Sequence, residues 1–198
     1  GEDVDRARFF LVRGIIRLNQ SLYAQAAEDF ETSIAATKKK RAEDEDAEGV
    51  KPVLYVYLGQ AYFYSDRYEK ALEAMESAGA KADGMKTTWA LRAEALWKLE
   101  RYDEAWATLS KGLERFPEYD ELRRRRIFYA IDRKLFSVAV DLGTAFLSET
   151  DAGHEDYLAV GAALRRAGNL EQAAKFLELA RLKSTDTPAV SIELAQVY

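Results

Sequence analysis

Cysteine is absent from the 198 residues, which excludes disulfides, zinc–thiolate sites and thiol catalysis. Histidine occurs once, as His154, so a multi-histidine metal centre is excluded too. Only 3 Pro and 11 Gly occur, which suits long helices better than a turn-rich β fold. No apolar run reaches about eighteen residues, the length a membrane-crossing helix needs. The phosphate loop G-x-x-x-x-G-K-[ST], the G-x-S-x-G elbow and the H-E-x-x-H helix are all missing. The net charge is −5, which argues against a general nucleic-acid binder. What is present is a folding composition, with 48% hydrophobic and 32% charged residues. The chain opens Gly-Glu-Asp and closes at Tyr198 inside a helical pattern, and the expectation is a fragment of a longer protein.

The strongest positive signal is a period. Ala71, Ala105, Ala139 and Ala173 stand 34 residues apart, and Ala26 precedes them by 45. Gly14, Gly59, Ala93, Ile127, Gly161 and Ala195 follow with intervals of 45, 34, 34, 34 and 34. Two series thus share one spacing and one eleven-residue insertion, the mark of a repeat array. Pro52 and Pro188 each lie seven residues before a member of the second series, where a missing N–H suits the first turn of a helix. Pro117 falls between two helical patterns as a stop.

Each period holds two helical patterns around a short polar turn. The spacing predicts helices over 53–64 and 69–78, 87–99 and 103–115, and 155–167 and 171–183. A small residue from each helix at the crossing lets the backbones approach closely, which is the physical reason for both series.

These residues resemble the tetratricopeptide repeat, W-x2-L-G-x2-Y then A-x3-F then P. The second repeat reads Tyr55, Leu58, Gly59, Tyr62, Ala71 and Met75; the third reads Trp89, Ala93, Leu96, Ala105, Leu109 and Pro117. The fifth reads Tyr157, Val160, Gly161, Leu164, Ala173 and Leu177, and the first keeps Phe10, Gly14, Ala26 and Phe30. The resemblance implies an all-α, right-handed α-solenoid of antiparallel helix pairs, with five repeats plus one terminal helix in a single domain. Their bounds are 7–40, 52–85, 86–119, 120–153, 154–187 and a partial 188–198, with the insertion at 38–51. The fourth repeat departs, with Arg123, Ile127 and Gly143 where an aromatic, a small residue and an aromatic or Leu are usual. Ile127 and Gly143 are read as a volume swap that brings the two face to face.

In this family the first helices line a concave groove, at positions three before and one, four and five after the small residue. Carried onto this chain, the candidate partner-binding residues are Val56, Gln60, Phe63 and Tyr64, then Glu94, Trp97 and Lys98. They continue with Arg124, Phe128 and Ile131, then Arg165 and Arg166. The groove reads as apolar and aromatic in its early repeats and cationic toward the fifth. It would suit a partner peptide or helix with an aromatic or apolar anchor and an acidic flank. Such aromatics also serve as packing in these repeats. The variant of the family that grips chaperone C-termini is not matched, because Leu11, Ile15, Tyr57, Thr87 and Leu91 stand where Lys, Asn or Arg are needed.

Other signals have plainer readings. Four successive arginines, 123 to 126, cannot share one helix face, and Glu118, Asp120 and Glu121 lie near to neutralise them. The stretch KKKRAEDEDAEGVK at 38–51 reads as a helix extension or solvated loop, with a flap over the groove mouth as the sharper alternative, and the next helix restarts near 52. His154 reads as an exposed capping-region residue, and the pairs Asp29/Glu31 and Asp44/Asp46 as exposed carboxylates without catalytic use. The segment 188–198 carries one charge, Glu193, and predicts either further repeats or pairing with another copy.

The expected function is therefore a non-catalytic protein–protein interaction scaffold, with no catalytic residues, cofactor, metal, nucleic acid or direct membrane insertion. The alternatives are a self-assembling, homo-oligomeric structural array, or the adaptor or regulatory region of a larger secretion or assembly protein. Cytosol, periplasm and secretion all fit a chain without cysteine.

Overall fold

The computed structural model describes residues 2–184 and 188–198. Among them lie twelve helices and no strand: α1 (Glu2–Asn19), α2 (Tyr23–Glu43), α3 (Pro52–Tyr64), α4 (Tyr68–Ser77), α5 (Ala80–Asp83) and α6 (Lys86–Lys98), then α7 (Tyr102–Arg115), α8 (Asp120–Asp132), α9 (Phe136–Glu149), α10 (His154–Arg166), α11 (Leu170–Lys183) and α12 (Pro188–Ala195). They form two compact units, Gly1–Gly112 and Leu113–Tyr198, with the division falling inside α7. The end of the fifth repeat, at 185–187, lies outside the described residues.

Within each unit the helices pack as successive pairs, α1 on α2 and α3 on α4 in the first, α8 on α9 and α10 on α11 in the second. The small-residue series sits at the crossings. A methyl group on Gly14 would lie 2.6 Å from Phe30 Cε1, one on Gly59 2.8 Å from Met75 Cγ, and one on Gly161 2.7 Å from Leu177 Cγ. Each large residue stands sixteen positions after its glycine, so one contact recurs through the array. The fourth repeat breaks it, but not as a volume swap. The space before Gly143 is filled by Val160 of α10, the next first helix, while Ile127 clusters with Phe146 and Ala152.

The turn between paired helices recurs as strictly. Ser21, Asp66, Glu100, Lys134 and Gly168 all have positive φ, and they are spaced by 45, 34, 34 and 34. The residue after each turns its N–H back five positions: Leu22 to Arg17, Arg67 to Tyr62, Arg101 to Leu96, Leu135 to Ala130 and Asn169 to Leu164, at 2.8–2.9 Å. This is the Schellman closure, which satisfies a carbonyl at the end of each first helix. Only the fifth repeat uses glycine, the residue without a Cβ penalty in this conformation. Glu100→Gly is therefore expected to raise stability by about 1 kcal/mol, read as a higher urea midpoint at unchanged slope. A lower midpoint would show that the Glu100 side chain matters more than its backbone.

One expectation is corrected here. Asp29 is not an exposed carboxylate; it is 2% exposed, because α1 lays two arginines over it. Arg13 donates to it from Nε at 3.0 Å and Nη2 at 2.6 Å, and Arg17 from Nη1 at 2.7 Å. That hydrogen bond holds the Arg13 guanidinium above its usual range. The insertion divides in two: α2 extends to Glu43, and 44–51 is a loop whose Ala47 is buried and accepts from Arg41 Nη1 at 2.5 Å. The one-turn α5 was not foreseen. It follows Gly79, whose φ of +52° ends the run of α4.

Candidate protein-binding face

In the first unit α3 packs beside both α1 and α6, so the first helices of three repeats share one face. Of the residues expected there, Val56 is not available. It is fully buried against Ala78 and Ala82, because α5 closes over its side of α3. Gln60 is half-buried, and Phe63 is half-buried against the core formed with Leu58, Ala61 and Tyr62. Tyr64 is 50% exposed. Its ring stacks on that of Tyr23 at 5.0 Å, a partner the sequence reading missed.

The aromatic residues divide into two kinds. Phe63 meets Tyr68 edge to face at 5.7 Å, and Trp97 meets Tyr102 in the same way at 4.6 Å. These are one contact in two successive repeats, since each ring touches the first residue of its own second helix. Phe63 and Trp97 thus brace the helix turn and present only part of their surface. Tyr64 and, in the second unit, Phe128 are exposed beyond what packing requires. Glu94 and Lys98 lie one turn apart on α6 at 3.9 Å.

In the second unit α8 packs beside α10. A cleft of about 570 Å³ there is lined by Glu121, Arg124, Arg125, Phe128, His154 and Asp156 among others. Ile131 is half-buried in the cluster of Ile127, Phe146 and Ala152. The cations expected to meet an acidic partner have internal partners instead. Arg124 grips buried Asp156 from Nε at 2.8 Å and Nη2 at 3.2 Å, and this bond holds its guanidinium above the usual range. Asp156 also accepts from the Gly153 N–H at 2.9 Å, capping α10. Arg165 and Arg166 both reach Glu193 of α12, at 2.7 and 3.2 Å. In the arginine run, Arg123 pairs with Glu149 and Arg125 with Glu121, so the run is largely neutralised within the fold. His154 is the first residue of α10 and half-buried. Among the described residues no group of three or more His, Cys, Asp or Glu is placed to hold a metal ion.

Antiparallel helix pairs in a 34-residue register, closed by one repeated turn and presenting a row of first helices, define a helical-repeat protein of the α-solenoid class. The tetratricopeptide-repeat family model matches residues 86–128, and the chain resembles tetratricopeptide-repeat proteins in its fold. Solved structures of low identity share the fold. A tetratricopeptide repeat protein from Parabacteroides merdae is 16% identical, with a TM-score of 0.78 over 100% of this chain and 73% of its own. YrrB, a TPR protein with an unusual peptide-binding site, is 16% identical, with a TM-score of 0.70 over 92% of this chain and 89% of its own. A MamA fragment from Desulfovibrio magneticus is 19% identical, with a TM-score of 0.69 over 76% of this chain and 85% of its own. No curated protein sequence matches the chain.

Proposed function

We propose that the chain is a non-catalytic protein-interaction scaffold that holds a partner peptide or helix on the face shared by its first helices. The observation that carries this reading is Tyr64, half its surface open beside Phe63 and stacked on Tyr23, on the row of α1, α3 and α6. Exposed tyrosine and tryptophan on a rigid face are the residue types that dominate protein recognition, because they bring large contact area at little entropic cost. The likeness to YrrB, whose peptide-binding site lies on the same fold, supports the reading.

The partner's anchor is apolar or aromatic. An acidic flank would compete with Asp156 and Glu193 for arginines already engaged, so it would add selectivity more than affinity. Gln60, Glu94 and Lys98 supply polar contacts around the anchor.

The test starts from clients recovered with wild type and lost with a Tyr64→Ala, Trp97→Ala double variant. Each client is then titrated against the single variants by calorimetry. An anchor role predicts a loss of about 2 kcal/mol or more per residue, roughly thirtyfold in Kd. Unchanged affinity in a variant with intact helix content would remove the face from the account.

A further inference from the structure

The repeat register points to a second surface, on the opposite side of α1 from α2's core. In the first helices α3, α6 and α10, the residues five before and two after the small position are covered. On α3 these are Leu54 and Ala61, on α6 Thr88 and Ala95, and on α10 Asp156 and Ala163. All six are buried. The helices packed on those first helices are α2, α4 and α9 respectively. The corresponding residues of α1 are Phe9 and Ile16, with Val12 between them, and they are 56%, 50% and 51% exposed. They line a shallow cleft of about 410 Å³ together with Asp5, Arg8 and Arg13.

We infer that this face of α1 is a docking site for one amphipathic helix of a partner protein, which would extend the stack by the same interface that joins its internal repeats. Three features select that occupant. First, the stripe Phe9, Val12, Ile16 follows the i, i+3, i+7 spacing that one helix reads along another. Second, the face continues an interface at which α3, α6 and α10 each receive the second helix of the preceding repeat. Third, three side chains offer far less than the roughly 800 Å² per partner that a stable dimer face needs, which fits one added helix better than a second copy of the chain. Asp5 within the stripe also disfavours burial in lipid. Arg8 at the rim calls for a carboxylate on the incoming helix.

The experiment uses a probe that already covers such a face in this protein. A fluorescent, helix-stapled peptide of residues 170–183, the segment of α11 that packs on α12, is titrated against the full chain by anisotropy. Saturable binding is expected, weakened at least tenfold by Val12→Glu and by Ile16→Gln and unchanged by Leu182→Gln, which alters an exposed apolar residue elsewhere. Slowed amide exchange over residues 9–16 on peptide addition is expected in wild type, a readout that does not depend on the variants folding. No saturable binding, or equal binding to both stripe variants with intact helix content, overturns the proposal. So does a stripe-dependent rise in mass with concentration, which assigns the face to a second copy. Stripe-dependent binding to phosphatidylglycerol vesicles in the absence of peptide binding overturns it in favour of a membrane.

Discussion

Truncation of Phe30 to alanine is expected to destabilise the protein by about 3–5 kcal/mol, measured as the loss in unfolding free energy by denaturant titration. The ring is fully buried. It fills the space that Gly14 leaves open, with Cε1 and Cδ1 at 2.6 and 2.8 Å from where a methyl would stand, and it stacks on Tyr57 at 5.9 Å. It therefore joins α1 to α2 and the first repeat to the second at one point. Removing it takes away apolar burial and leaves a cavity that neither neighbour can close, because Gly14 has no side chain to move in. Phe30→Leu is expected to lose much less, since Leu177 fills the equivalent place opposite Gly161. Equal losses for the two variants would contradict the cavity argument.

Asp156→Ala is expected to cost about 3 kcal/mol, the sum of charge-assisted hydrogen bonds and a helix cap. One buried carboxylate serves both, holding Arg124 of α8 and the N–H of Gly153 that opens α10. Its loss would free Arg124 to turn toward a bound partner, so stability should fall while affinity for an acidic peptide holds or rises. Asp156→Asn keeps an acceptor for the Gly153 N–H and is expected to fall between alanine and wild type. A midpoint unchanged in Asp156→Ala would show that Arg124 and water satisfy each other equally well.

The helices were legible to within a residue or so because one register fixes all of them. The pattern over 53–64 became Pro52–Tyr64, and that over 171–183 became Leu170–Lys183. Helices this long repeat their small and apolar positions often enough to read. The single turn α5 does not, and it is also what hides Val56, so one unseen element removed one expected contact residue.

The charged part of the face was hardest to read. Exposure of Arg124, Arg165 and Arg166 followed from family positions, but their partners Asp156 and Glu193 lie 32, 28 and 27 residues further on. Those intervals are close to one repeat, so a scan for opposite charges one repeat apart would have paired them. Asp29 escaped for a similar reason. Its arginines lie 16 and 12 residues away on the preceding helix, and nothing local marks that carboxylate as buried. The stripe on α1 was not read from the sequence, because Phe9 and Ile16 stand out only once the counterparts of their positions in other repeats are known to be covered.

The left-handed turns have a practical consequence. Asp66, Glu100 and Lys134 each hold a conformation that L side chains resist, in three separate repeats and far enough apart for their effects to add. A triple glycine variant would give a sturdier parent chain. Alanine scans across the aromatic row could then be run in it without confusing a lost grip with a collapsed scaffold.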